Sequence, residues 1–180
     1  MGKRPFDIIV YGATGFTGKL VVEYILEHYG LKNDLFNWAI AGRSLEKLEK
    51  LKTDLSKKYI DAKDIRIFVA DSFDENFIEK LSKSAKVIIS TVGPYIKYGI
   101  NLVSACAYNG THYCDLTGEV PFIRQSIDAN NEIAINNKSK IIHSCGFDSI
   151  PSDLGVLCLQ SEAIKKYNSS INQIKYYVKG

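Results

Sequence analysis

Seven consecutive residues carry the strongest chemical signal in the chain: Gly12, Ala13, Thr14, Gly15, Phe16, Thr17 and Gly18. They follow an apolar run, FDIIVY at 6–11, and open a stretch with helical spacing. The first backbone amides of a helix have no intrahelical partner and face any anion that approaches. Three glycines in that setting have separate uses. Gly12 lets the chain leave the strand sharply, Gly15 clears the space in which a pyrophosphate rests, and Gly18 lets the helix close on the sheet. Thr14 and Thr17 add hydroxyl donors. The spacing is GxxGxxG, one residue longer in its first gap than the common dinucleotide fingerprint. No GK[ST] ending follows, which disfavours a nucleoside-triphosphate loop.

The end of the second apolar run selects the coenzyme. An acid there holds the ribose 2′-OH of NAD, whereas an arginine accommodates the 2′-phosphate of NADP. This chain reads Ala41-Gly42-Arg43-Ser44 without an acid. Arg43 offers a forked, charge-assisted contact to phosphate, and Ser44 adds a hydroxyl. NADP(H) is therefore expected over NAD(H). Asp71 ends the third run, where a side-chain acceptor meets an adenine amino group or simply forms a turn. Thr91, Val92, Gly93 and Pro94 end the fourth, on the sheet edge where ligands bind in open α/β folds. Asp115, Glu119, Asp148 and Tyr95 are the titratable groups near that edge. Each has a plainer use as a cap, loop bond or core phenol, and no catalytic residue is assigned. His143 and Cys145 suggest a thiol nucleophile, but a small buried thiol is the commoner outcome.

These residues need elements to position them. Strand-like runs occupy 6–11, 36–41, 65–70, 86–92 and 139–145, with a weaker one at 111–116. Several are continuously apolar, as strands covered on both faces are. Helical stripes alternate with them: Leu20, Val21, Tyr24 and Ile25; Leu45, Leu48, Leu51 and Leu55; Ile96, Ile100, Val103 and Ala107; Val120, Ile123, Ile127 and Ala134; and a short helix over 74–82. Ser44, Asp74 and Ser152 are the expected N-caps, the last for a helix running to 166 behind Pro151. Strand and helix in strict alternation predict an α/β, Rossmann-type, doubly wound parallel sheet. Residues 171–179 (INQIKYYVK) read as one more strand, the start of a second, α+β domain that is missing. The expected division is a coenzyme domain over 1–168 and the first strand of that truncated domain over 169–180.

The 180 residues are 46% hydrophobic and 24% charged, as in a folded domain, and exclude collagen, long-range disorder and a disulfide miniprotein. A net charge of +3, spread over helices, excludes the basic stripe of a nucleic-acid protein. The cysteines stand 8, 31 and 13 positions apart, without CxxC or zinc-type spacing, so no metal site is expected. No secretory leader pattern opens the chain and no apolar run approaches the ~20 residues of a membrane span. Free thiols in a cytoplasmic, soluble protein are expected.

Two later motifs add a resemblance. GATGFTG, AGR, TVGPY, YCDLTGE and CGFDSIPSDLG, in this order, resemble the saccharopine dehydrogenase-like oxidoreductases over essentially the whole chain. The resemblance implies an NAD(P)-dependent oxidoreductase roughly twice this length, acting on a small-molecule, lipid-type carbonyl or enoyl substrate. It also implies peripheral association with lipid droplets or membranes. Saccharopine reductases carry a GxDPG-type turn where this chain has Gly146-Phe147-Asp148-Ser149-Ile150-Pro151, which argues against lysine metabolism. The alternatives are an atypical short-chain-dehydrogenase-like regulator that binds NADP(H), or a lipid-associated non-enzyme. The YxxxK of the former occurs only at Tyr59–Lys63, away from the coenzyme edge. Substrate identity and oligomeric state are not encoded legibly.

Overall fold

The computed structural model describes residues 4–69 and 71–179. Among the described residues thirteen strands and helices follow one another: β1 (Phe6–Tyr11), α1 (Phe16–Tyr29), β2 (Trp38–Gly42), α2 (Leu45–Ser56), β3 (Arg66–Val69), α3 (Glu75–Ser84) and β4 (Ala85–Ser90) come first. α4 (Tyr95–Tyr98), α5 (Ile100–Asn109), β5 (His112–Asp115), α6 (Val120–Asn136), β6 (Ile141–Ile142) and α7 (Ile150–Tyr167) follow. A 3-10 turn over Ile60–Asp64 precedes β3. All strand pairs are parallel, in the order β3-β2-β1-β4-β5-β6. Chain order reverses between β1 and β4, so the carboxyl ends of those two strands form the switch point.

Alternation along β1 assigns its residues to two cores. Ile9 and Tyr11 face α3, α5 and Phe122 of α6, while Val10 packs with Trp38, α1 and α2 on the opposite face. Val10 lies in register with Ile40 on one side and Ile89 on the other, which centres it in the sheet. Burial at this density, worth ~25 cal/mol per Å² of apolar area, fixes which face each strand presents.

Several helices turn a different face inward than their apolar spacing suggests. In α1 the buried residues are Gly18, Val22, Ile25 and Leu26, while Leu20 and Tyr24 are exposed. Gly18 must face the glycine turn, and that sets the rotation of the helix. Leu45 is likewise exposed, with Leu48 and Leu51 inward. The expected stripe through Ile96 is broken at Gly99 into α4 and α5, and Ile96 faces outward. A methyl on Gly99 would lie 2.7 Å from the Phe122 ring. α6 buries Phe122, Ser126, Asn130 and Ala134 instead of Val120 and Ile127, because its inner face is polar.

Ser44 and Asp74 cap α2 and α3, their side chains accepting from Lys47 N at 3.3 Å and Phe77 N at 3.2 Å. The third expected cap is displaced. α7 begins at Ile150 with Ser149 as N-cap, and Pro151 lies inside the first turn, where a missing N–H costs nothing. Ser152 instead donates to Ser149 O at 3.1 Å. The ladder of β6 is only Ile141–Ile142, because Ser144 takes a left-handed φ of 61° just beyond it. Ala70, at the end of the expected third strand, lies outside the described residues. Residues 171–179 form no strand; the Gln160 side chain donates to Ile171 O at 2.7 Å and accepts from Ile171 N at 2.8 Å. A strand needs a ladder partner, and among the described residues none pairs with this segment; at Ile171 the glutamine amide takes both backbone groups.

Candidate functional site

Gly12 leaves β1 with φ of 87°, a conformation that L side chains rarely adopt. A methyl there would stand 2.7 Å from both Thr91 Oγ1 and Val92 Cγ2. One on Gly18 would overlap the Gly12 carbonyl. The turn is tied to its neighbours by backbone: Gly12 N donates to Ala41 O at 2.9 Å, and Gly15 N to Gly12 O at 2.9 Å. Gly15 caps α1 without a side-chain hydrogen bond, and the first turn of α1 contains no acid. Bare amides and the positive end of the helix dipole therefore open onto the cleft. The Phe16 side chain is exposed and lines neither this cleft nor the hollow beside it.

Outside this turn lies an outer hollow of about 380 Å³, lined by Tyr11, Gly12, Thr14, Gly15, Arg43, Asp71, Thr91, Val92, Gly93 and Pro94. Most of the expected site residues thus share one wall. Thr17 lines the adjoining inner hollow, Ala13 is buried beneath the turn, and the Ser44 oxygen caps α2 by accepting from Lys47 N. Arg43 is exposed, and among the described residues no carboxylate lies within ion-pairing distance of it. Asp71 forms a turn, accepting from Phe73 N at 2.9 Å, while still lining the hollow. The peptide between Gly93 and Pro94 is cis.

Three lining residues escape a motif search. Tyr11, Ser72 and Tyr98 complete the outer hollow, with Tyr11 Oη 2.7 Å from Ser72 Oγ. Burial raises the Tyr11 phenol, so it stays protonated. Tyr11 could have been found as the last inward residue of β1. Tyr98 could not, since its ring depends on the short α4 turn. Lys19, Lys47 and Lys50 line a neighbouring hollow of about 460 Å³ between α1 and α2, facing Glu23 and Asp54. In the sequence they read as solvated helix charges.

The inner hollow, about 400 Å³, continues from Thr91 along the carboxyl ends of β4, β5 and β6. Ser90, Thr91, Asp115, Cys145, Phe147 and Asp148 are among its walls. The titratable groups here differ in availability. Asp115 is buried and accepts from Thr117 N (3.1 Å), Ser144 N (3.2 Å) and Tyr113 Oη (2.9 Å), with His143 Nδ1 at 2.8 Å. Glu119 accepts from the Tyr95 and Ile96 amides at 2.7 and 2.9 Å, covering the start of α4. Tyr95 is buried, donates to Ser90 O at 3.1 Å, and is held protonated chiefly by burial. Asp148 alone of the four is exposed to the hollow.

Cys145 is exposed rather than buried, and it does not pair with His143, whose ring nitrogens meet Asp115 and Ser126. The reason is the turn at Ser144, which ends the strand alternation that would put both on one face. Burial, then the Asp115 carboxylate, pushes the Cys145 thiol up, and burial pushes Cys114 up to about 12. Cys106, Cys114, Cys145 and Cys158 are free. Among the described residues no group of His, Cys, Asp and Glu could hold a metal ion, and no helix is long and apolar enough to cross a membrane.

With this geometry in hand, comparison with known proteins is decisive about kinship. Residues 8–142 match the family described as the saccharopine dehydrogenase NADP binding domain. The chain belongs to that family. As a saccharopine dehydrogenase-like domain it has NADP as its coenzyme, the choice expected over NAD. It is 45% identical over 163 residues to the trans-acting enoyl reductase of Mycobacterium leprae, covering 91% of this chain and 37% of that protein. The trans-acting enoyl reductase of Mycobacterium tuberculosis is 44% identical over the same length and shares. The chain therefore spans little more than a third of these relatives. Among solved structures, apo saccharopine dehydrogenase (L-Glu forming) from Saccharomyces cerevisiae superimposes with a TM-score of 0.67 at 17% identity, over 89% of this chain and 32% of that one. Citrobacter sp. triphenylmethane reductase, complexed with NADP(H), gives 0.56 at 16%, over 88% and 56%. Both share the fold.

Proposed function

We propose that this chain holds NADPH across its switch point and presents it to an enoyl or carbonyl group of a lipid-type small molecule, as the coenzyme-binding part of an oxidoreductase. One observation carries the reading: two hollows meet at Thr91 along the carboxyl edge, with the bare amides of α1 between them. In this assignment Gly12, Ala13, Thr14, Gly15, Phe16, Thr17 and Gly18 build the pyrophosphate seat. Arg43 and Ser44 receive the 2′-phosphate, and Asp71 and Tyr98 border the adenine. Thr91, Val92, Gly93 and Pro94 run beside the ribose and nicotinamide. When bound, the reduced nicotinamide supplies a hydride. The inner hollow then receives the acceptor double bond, and the proton that completes its reduction comes from solvent, which reaches the exposed Asp148 and Phe147 in its wall. The name of the mycobacterial relatives supports an enoyl acceptor.

In the same reading residues 1–168 are the coenzyme domain, and 169–180 lead toward an α+β domain that shapes the substrate pocket. On this reading the protein works in the cytoplasm and meets lipid surfaces only peripherally. Titration with NADPH, followed by its oxidation in the presence of α,β-unsaturated acyl thioesters, tests the proposal in the full-length protein. Saturable binding and substrate-dependent loss of reduced coenzyme are expected; binding without oxidation by any enoyl or keto acceptor contradicts the enzymatic half.

A regulator that binds NADP(H) without chemistry is the second reading. It is favoured by the commitment of Asp115, Glu119 and Tyr95 to internal hydrogen bonds. Its short-chain-dehydrogenase version lacks support, because Tyr59–Lys63 precedes β3 on the opposite edge of the sheet, with Tyr59 Oη donating to Glu27 at 3.3 Å.

A further inference from the structure

A buried chain of polar groups runs under the inner hollow. Tyr113, Asp115, His143 and Ser126 are linked in that order, by contacts of 2.9, 2.8 and 2.9 Å. A carboxylate only accepts, so His143 Nδ1 carries a proton toward Asp115, and in the neutral ring Ser126 donates to Nε2. The order Asp–His–Ser is also that of a nucleophile relay. Here the serine end is on the inner face of α6, 2% exposed, and the aspartate is shared among four donors. The arrangement fastens rather than attacks.

What it fastens is the loop after β6. Ser144 has φ of 61°, a left-handed conformation rare for a residue with a side chain, which persists only where its surroundings over-determine it. Three bonds do so. Ser144 N donates to Asp115 Oδ1 at 3.2 Å, Ser144 Oγ to Thr117 O at 2.8 Å, and Cys145 N to Asp115 O at 2.7 Å. The kink turns Cys145, Gly146, Phe147 and Asp148 into the wall of the inner hollow. Gly146 presses so closely on Leu116 that an added methyl would lie 2.8 Å from its Cβ. The wall is thus docked against the β5–α6 connection through Asp115, and Asp115 is itself held from behind by His143.

We propose that Asp115 and His143 are positioning residues for the nicotinamide end of the coenzyme: they hold the Ser144 kink and so set the 145–148 wall. This inference rests on assigning the inner hollow to the nicotinamide. The wall lies beyond Thr91, in a different hollow from Gly12, Thr14, Gly15 and Arg43, and of the glycine-rich segment it shares its hollow with Thr17, so its placement bears chiefly on the far half of the ligand.

Two probes separate the halves. NADPH occupies both hollows; 2′-phospho-ADP-ribose, which lacks the nicotinamide, occupies the outer one. Losing a hydrogen bond to a charged group corresponds to about tenfold or more in affinity. His143→Ala and Asp115→Asn should therefore weaken NADPH by about tenfold or more and leave the fragment within about twofold. His143→Gln keeps a donor for Asp115 and should recover most of the NADPH affinity. Ser126→Ala, at the far end, should cost about threefold. Circular dichroism melts confirm that each variant is folded, and His143→Gln with Ser126→Ala carry the test should Asp115→Asn fail to fold. Parallel weakening of both probes, or unchanged NADPH affinity, overturns the proposal. Wild-type protein that binds neither probe would instead refute the coenzyme site itself, and with it the premise here.

Discussion

The outer hollow takes its shape from what its residues lack. Gly12 and Gly18 have no side chain, and any added atom would collide with Thr91, Val92 or the Gly12 carbonyl. The inner hollow takes its shape from a network behind its wall: Asp115, which lines it, is tied to Tyr113, His143 and Ser144, and His143 in turn to Ser126, in a largely buried set of polar side chains. Backbone geometry enforced by sterics is local, because a turn needs only its own few residues. A network assembled from β5, α6 and the loop after β6 is not local, and each bond depends on the others. The first half should tolerate no added bulk, and the second should loosen by degrees.

The largest effect expected is at Gly18. Gly18→Ala drives a methyl into the Gly12 carbonyl and should abolish measurable NADPH binding while destabilising the domain by roughly 1–3 kcal/mol. Calorimetric titration with a parallel denaturant melt would show this; a variant binding normally would mean the two halves are not built differently. Arg43→Ala comes next. Removing a forked contact to a dianionic phosphate should weaken NADPH by about 10–100-fold and leave NADH unchanged. Equal losses for both coenzymes would move the 2′-phosphate elsewhere, to the lysines between α1 and α2.

An alkaline pH series addresses the buried side of the molecule. Burial raises the thiol of Cys114 from 9.0 to about 12, and also raises Cys106, Tyr11, Tyr95 and Tyr113. Above pH 9 the unfolded chain loses these protons while the native chain keeps them. Native protein then binds more protons than unfolded protein, so stability falls as pH rises from about 9 toward 12. Denaturant midpoints measured across that range should decline steadily, and a flat profile would contradict the burial of these groups. The smallest effect is at Ser44. Ser44→Ala loses the α2 cap and should cost about 1 kcal/mol in stability. Its effect on NADPH affinity, compared with that of Arg43→Ala, separates the capping use of the hydroxyl from contact with phosphate.

The same contrast explains what the sequence made legible. The glycine turn, the order of strands and helices and the caps at Ser44 and Asp74 depend on residues near one another in the chain, and pattern reading reached them. The inner face of α6 did not yield to it. Apolar spacing favours Val120, Ile123 and Ile127, yet Ser126 and Asn130 are buried because His143, 17 residues after Ser126, bonds to one and the α6 backbone satisfies the other. The kink at Ser144 was hidden for the same reason, since it is held by Asp115, 29 residues earlier. Residues 171–179 (INQIKYYVK) read as a strand, but a side-chain pattern cannot supply the ladder partner.

On the proposed reading one ligand spans two unlike hollows joined at Thr91. Calorimetric titration of the chain with NADPH, NADH and 2′-phospho-ADP-ribose tests it most directly. One saturable site for NADPH, binding at least about tenfold weaker for NADH, and an intermediate affinity for the fragment are expected. NADPH and NADH binding with equal affinity, or the fragment matching NADPH, would contradict it.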